Sequence, residues 1–138
     1  MAQAVSINYL AVLVAAIASM IIGFLWYGPL FGNKWKKLVG FTDKNMKSMK
    51  MTPAQSMIVG FITTLVMSYI LAHFVDYVQA KTLVDGAVLG LWIWLGFFAT
   101  TQLGMVLWEN KPFKLYLINT LHYLVTLAVM SAILAVWP

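Results

Sequence analysis

Residues 7–35 read INYLAVLVAAIASMIIGFLWYGPLFGNKW, and this stretch carries no charged residue before Lys34. An α-helix rises about 1.5 Å per residue, so residues 7–27 cover roughly 30 Å, the thickness of the hydrocarbon core of a bilayer. Trp26 and Tyr27 then fall at the level of the lipid headgroups, and the glycine and proline that follow predict the end of the helix. The stretch therefore predicts a membrane span that ends shortly before the first lysine.

The composition of the whole chain supports the same interpretation. Of its 138 residues, 62% are hydrophobic and 9% are charged. A soluble domain typically has about 45–50% apolar and about 25% charged residues. A soluble fold of this length could not bury so much apolar surface, which places the chain in lipid. Residues 1–6 hold no lysine, so we expect the first span to be retained and not cleaved as a signal peptide.

Three further apolar stretches repeat this pattern and predict an all-α membrane protein. We expect one domain over residues 1–138, a bundle of four transmembrane helices with a basic loop between the first two. The predicted spans cover about residues 6–28, 53–78, 84–108 and 113–137. The turn between the second and third spans is short, which predicts that these two helices are antiparallel neighbours.

Small residues recur along the predicted spans at intervals of four. Lipid provides no hydrophobic drive for helix association, so such stripes indicate surfaces where backbones approach closely. The third span holds Gly86 and Gly90 as a GxxxG pair, and Gly96 continues its small face. The stripes of the first and second spans are Ala11, Ala15, Ser19 and Gly23, and Ser56, Gly60, Thr64, Ser68 and Ala72.

Lysine supplies all nine basic residues of the chain, whose net charge is +5. Eight lysines follow the first or third span, and only Lys81 follows the second. The positive-inside rule then predicts a bacterial inner-membrane protein with cytoplasmic basic loops and both termini outside. Arginine, which nucleic-acid-binding proteins use for bidentate contacts, is absent from the sequence, so we expect no nucleic-acid partner.

The basic loop is expected to contact membrane lipids. Each lysine beside an anionic leaflet contributes roughly 1 kcal/mol of attraction. Apolar residues interrupt the lysines and predict a short amphipathic helix over residues 34–39 on the membrane surface. The expected headgroup contacts are Lys34, Lys36, Lys37, Lys44, Lys47 and Lys50.

Polar residues inside a span are functional candidates by default. His122 lies about two turns into the fourth span, and it shares a face with two further polar side chains. It either forms an interhelical hydrogen bond or contributes to a proton or ligand site. The candidate site comprises His122, Asn119, Thr126, Trp92, Trp94 and Asn8. His73 and Asp76 form a second candidate, a polar pair near the outer face that is explained most simply by a hydrogen bond between them.

The sequence offers no support for an enzyme, a metal site or a cofactor. We find no pairing of a nucleophile with a base, no phosphate-binding loop and no cysteine. A haem between His73 and His122 would need axial ligands about 4 Å apart, whereas the predicted placement separates these residues by on the order of 10–15 Å along the membrane normal. A proton-coupled antiporter of the small multidrug resistance type needs a carboxylate in its first helix, which this chain lacks.

Several segments resemble the bacterial membrane family DUF1761. They are INYLAVLVAA at residues 7–16, LWYGPLFGNKW at 25–35, GF at 96–97, LIN at 117–119 and AILA at 132–135. The family commonly has serine where this chain has Gly28, a small change that leaves the role of this position at the helix end intact. The resemblance implies a four-helix membrane fold, and it brings no established activity.

Two functions are compatible with these patterns. The first is a structural or accessory membrane protein that forms homo-oligomers or docks on a larger membrane complex, because the small-residue stripes exceed what one bundle needs. The second is a transporter, channel or small-ligand-binding protein with an intramembrane polar site around His122.

Overall fold

The computed structural model describes residues 5–40, 44 and 47–137, and almost all of them lie in helices. The helices are α1 (Tyr9–Leu30), α2 (Gly32–Val39), α3 (Pro53–Tyr77), α4 (Leu83–Leu107) and α5 (Phe113–Val136). All but α2 are long and apolar enough to cross a membrane. The structure thus confirms the predicted all-α class with four apolar helices of spanning length.

Local capping residues mark where α3 and α4 begin. Before α3, the Thr52 hydroxyl accepts a hydrogen bond from the backbone N–H of Gln55, whose side chain accepts one from the backbone N–H of Thr52. Thr82 and Asp85 form the same reciprocal arrangement before α4. This capping box satisfies N–H groups that a helix start leaves without a partner.

The centre of the bundle is α5, against which α1, α3 and α4 all pack. Its residues Leu127 and Met130 are almost fully buried. They join the core formed by Ala11 and Ala15 of α1 and Leu71 of α3. The fourth span is therefore the element that holds the other three together.

The predicted contact between the second and third spans is wrong, because α3 and α4 hardly touch. An apolar groove of about 410 Å³ lies between them, lined by Phe74 of α3, Phe97 of α4 and Leu127 of α5. A short turn makes two helices antiparallel, but side chains decide whether they pack. Here the small face of α4 is directed at α5 instead.

The GxxxG pair of α4 packs against the backbone of α5, which confirms its predicted role. A Cβ atom on Gly86 would lie 2.5 Å from the carbonyl oxygen of Ser131, and one on Gly90 would lie 2.6 Å from that of Leu127. Neither position can therefore hold a side chain unless the helices separate. By contrast, a Cβ atom on Gly96 would have no neighbour within 4 Å, so the packing stripe does not extend to that residue.

The stripe of the first span packs as predicted at Ala11, Ala15 and Ser19 but not at Gly23, and that of the second span also packs only in part. Ala11 and Ala15 are fully buried, and the buried Ser68 hydroxyl donates a 2.8 Å hydrogen bond to the carbonyl oxygen of Val12. No residue between positions 53 and 66 is buried. The first half of α3 is therefore packed more loosely than the second half, although the Thr64 hydroxyl still lies 4.0 Å from the sulfur of Met20 in α1.

The first span does not end at its glycine and proline as predicted. It continues through a π-helical turn, Trp26–Leu30, in which the N–H of Phe31 donates to the carbonyl oxygen of Trp26 at 2.9 Å. Pro29 has no N–H to donate, and a wider turn accommodates this loss. A second π-helical segment, Trp94–Ala99, lies within α4, and there the Tyr116 hydroxyl donates to the carbonyl oxygen of Ala99 at 2.7 Å.

The short helix α2 has the amphipathic character predicted for this part of the loop. Its lysine side chains are exposed, whereas Trp35 is half-buried and contacts the ring of Tyr27 edge-on at 5.4 Å between centroids. The helix ends at Gly40, whose φ of +82° favours glycine. A Cβ atom on Gly32 would lie 2.5 Å from the carbonyl oxygen of Tyr27, so α2 lies tightly against the end of α1.

Candidate functional site

His122 lies in an aromatic environment where α1 meets α5. Only 9% of its surface is exposed. Its ring centroid lies 6.1 Å from that of Trp26, 5.0 Å from that of Tyr27 and 4.9 Å from that of Tyr123. Its Nε2 atom lies 3.4 Å from the hydroxyl oxygen of Thr126, one turn along the same helix.

The π-helical turn at the end of α1 attaches this aromatic cluster to α5. The indole N–H of Trp26 donates a 2.9 Å hydrogen bond to the carbonyl oxygen of Ile118. The Tyr27 hydroxyl donates one of the same length to the amide oxygen of Asn119. These two bonds fix the orientation of both rings and of the Asn119 amide beside His122.

A groove of about 930 Å³ opens in front of this cluster, between α1, α3 and α5. Its apolar walls include Met20 and Phe24 of α1 and Met57 of α3, while α5 contributes His122 and α4 contributes Gln102. Among the described residues that line it, none carries a formal charge at neutral pH. The groove therefore suits an uncharged molecule.

Two buried polar atoms of the groove have no hydrogen-bond partner within the described part of the chain. They are Nδ1 of His122 and Oε1 of Gln102. Leaving a buried donor or acceptor unsatisfied costs about 1–3 kcal/mol. Both side chains line the groove, so a small rotation toward a bound molecule could give each atom a partner, which makes this a candidate ligand site.

The structure places only part of the predicted site at the groove. Asn119 and His122 line the groove, whereas Thr126 does not line it and contacts Nε2 of His122 through its hydroxyl group. The indole N–H of Trp94 instead donates to the carbonyl oxygen of Thr120 at 2.6 Å and packs α4 against α5.

Two further residues of the predicted site lie apart from the groove. Trp92 is 65% exposed on the outer surface of the bundle, because α4 directs Gly86 and Gly90 toward α5. Asn8 caps the start of α1 at the other end of the bundle, where its side chain accepts from the N–H of Ala11. Neither can contact a ligand held beside His122.

The second candidate, the pair His73 and Asp76, is not joined by a hydrogen bond. Nδ1 of His73 lies 2.9 Å from the carbonyl oxygen of Tyr69, and its ring packs edge-on against that tyrosine. Side chains of a helix lean toward its N-terminus, which carries the imidazole away from Asp76. Asp76 instead lines a cavity of about 360 Å³ that also includes Asn8.

The predicted lipid-contacting lysines are all exposed, and their contact with headgroups stays a prediction. These residues are Lys34, Lys36, Lys37, Lys44, Lys47 and Lys50. Among the residues that the structure describes, no three His, Asp or Glu side chains are grouped as metal ligands would be.

Sequence reasoning missed two contributors to the groove, Tyr27 and Gln102. Tyr27 has the position of an interfacial aromatic residue, and only the π-helical turn brings its hydroxyl to Asn119. Gln102 is an uncharged polar residue within a predicted span, and that signal alone could have made it a candidate beside Asn119.

Comparison with known proteins identifies the chain only at the level of its family. No curated protein sequence and no solved structure gives a match. The sequence profile described as "Protein of unknown function (DUF1761)" matches residues 10–135, which is nearly the whole chain. This match confirms the resemblance seen in the sequence, and the chain belongs to the DUF1761 family.

Proposed function

We propose that this protein is not an enzyme and binds a small lipid-soluble ligand in the groove between α1, α3 and α5. The observation that carries the proposal is a groove of about 930 Å³ lined by two residues, His122 and Gln102, that each hold a buried polar atom without a hydrogen-bond partner, Nδ1 and Oε1 respectively. Ligand sites for small molecules typically have volumes of about 300–1,000 Å³ and are mostly apolar with a few polar groups. The groove fits both criteria.

The route into the groove supports a ligand that comes from the bilayer. Residues 53–66 of α3 include no buried side chain, so this half-helix packs loosely where it lines the groove. Phe24 of α1 and Met57 of α3 line the groove, and about half of each side chain is exposed on the surface of the bundle. A molecule dissolved in the membrane could therefore enter sideways without crossing water.

Filling the groove is expected to abolish ligand retention. A Cβ atom on Gly23 would lie 3.6 Å from Nε2 of His122, so a phenylalanine there would occupy the groove beside the histidine. We expect the wild-type protein, purified in mild detergent, to retain a lipid-soluble molecule that mass spectrometry detects, and Gly23→Phe to retain about tenfold less, as loss of roughly 1.4 kcal/mol would produce.

Val66→Phe is the matched control, because Val66 is 58% exposed and lies outside the groove lining. It should retain as much ligand as the wild type. Met57→Trp provides a second filling variant on the first half of α3, where Met57 is 49% exposed and lines the groove. Equal retention by all four proteins would contradict the proposal.

A second candidate function is a structural or accessory protein that forms homo-oligomers or docks on a larger membrane complex. The observation in its favour is the first half of α3, where residues 53–66 include no buried side chain and large apolar residues such as Ile58 and Val66 are more than half exposed. For a homo-oligomer we expect a protein mass in mild detergent that is a multiple of 15.5 kDa. A single species of 15.5 kDa, with no co-purifying protein, would reject this function.

We also propose that the chain resides in a bacterial inner membrane with both termini outside. The support is the unequal distribution of lysine, with eight residues following the first and third spans and Lys81 alone following the second.

A further inference from the structure

We infer that the groove selects an uncharged long-chain alcohol, whose hydroxyl group pairs with Gln102 and His122 and whose chain lies along the apolar walls. This inference rests on the proposed function and specifies the chemistry of the ligand.

The amide of Gln102 offers a free acceptor to a hydrogen-bond donor of the ligand. Its unpartnered atom is the amide oxygen Oε1, and an amide oxygen can only accept. Molecules of the bilayer that offer only acceptors, such as esters, ethers and ketones, cannot satisfy it. A hydroxyl group can.

His122 can pair with a hydroxyl group in either neutral tautomer. If the Thr126 hydroxyl donates to Nε2, which lies 3.4 Å away, Nδ1 carries the proton and acts as a donor. If Nε2 donates to Thr126, then Nδ1 accepts. A hydroxyl group both accepts and donates, so it complements Nδ1 in both cases.

The groove disfavours an anionic headgroup. The described residues that line it include no charged side chain. A carboxylate or phosphate placed beside His122 would lose water without gaining a counter-charge, which is costly in an apolar environment. The lysines of α2 are exposed at the surface, although Trp35 of the same helix contributes to the lining.

Three probes with the same chain test this inference on the full-length protein. They are dodecanol, its methyl ether and dodecanoic acid, each titrated into detergent-solubilised protein and followed by native mass spectrometry. The ether can accept but not donate, and the acid is anionic at neutral pH. We expect dodecanol to bind about tenfold more tightly than either of the others, the effect of one well-made buried hydrogen bond.

Substitution of Gln102 isolates the donor requirement. In Gln102→Leu the alcohol should lose its advantage over the ether, because no acceptor remains for a hydrogen bond from the hydroxyl group. We expect the affinities of the two probes to differ by no more than about twofold. Thr64→Val is the matched control, since Thr64 lines the groove but its hydroxyl already donates to the carbonyl oxygen of Gly60 at 2.8 Å. This control should keep the preference for the alcohol.

Competition experiments distinguish the natural sources of the hydroxyl group. A monoacylglycerol and an isoprenoid alcohol compete with dodecanol, and the stronger competitor identifies the class. Equal binding of alcohol, ether and acid by the wild type would overturn the inference but leave a lipid-soluble ligand in the groove. Failure of all probes to bind, together with equal retention by Gly23→Phe and the wild type, would overturn the proposed function as well.

Discussion

Gly90→Ala is expected to lower the free energy of unfolding by about 3 kcal/mol, the upper part of the usual range for inserting a methyl group into a packed core. The added Cβ atom would lie 2.6 Å from the carbonyl oxygen of Leu127 and 2.8 Å from the backbone nitrogen of Ala128. Both neighbours belong to the backbone of α5, so no side-chain rotation can relieve the clash. The two helices must move apart, and the contact that joins α4 to the bundle weakens along its length.

The measurement is reversible unfolding in mixed detergent micelles, followed by circular dichroism. Gly96→Ala is the matched control on the same helix, since a Cβ atom there has no neighbour within 4 Å. It should leave stability unchanged or raise it by up to about 1 kcal/mol, because alanine restricts the unfolded chain more than glycine does. If the two variants were equally stable, the close packing of α4 on α5 would be wrong.

Labelling from the two sides of the membrane is expected to give opposite results at the two ends of α3. The chain has no cysteine, so single cysteines can be introduced without a background signal. In right-side-out membrane vesicles, an impermeant maleimide should label Lys81→Cys and leave Lys47→Cys unlabelled until the vesicles are opened. The physical reason is the positive-inside rule, by which loops rich in lysine stay in the cytoplasm during membrane insertion. The loop that contains Lys47 is rich in lysine, whereas the turn that contains Lys81 is not.

The unmodified cysteine-free protein provides the control for this experiment, and both variants should be labelled fully after solubilisation. Lys47 and Lys81 are exposed, so accessibility within the fold does not limit the reaction. Labelling of Lys47→Cys in sealed vesicles would reverse the orientation proposed here.

The four spans could be predicted because length and hydropathy alone decide whether a segment can cross a bilayer. The close approach of Gly86 and Gly90 could also be predicted, since small residues at this spacing permit backbone contact. Their partner could not, because a glycine has no side chain to indicate which helix it meets. The assumption that sequential helices pack together assigned α3 as the neighbour, and the structure shows α5.

The candidate site was predictable only where one helix carries it. His122 and Asn119 lie on one face of α5, and helical periodicity reveals such a pair directly. Tyr27 reaches Asn119 through a π-helical turn, a local change of winding that periodicity does not contain. Trp92 and Trp94 are two positions apart, so they point in different directions, and only one of them faces α5.

The central position of α5 has a consequence for biogenesis. Synthesis proceeds from the N-terminus, so α1, α3 and α4 leave the ribosome before the helix on which all three pack. Until α5 arrives, α4 has no surface for its glycine face, and α3 has only its contact with α1. We therefore expect α1 and α3 to pair first, and α4 to join the bundle only once α5 has been inserted.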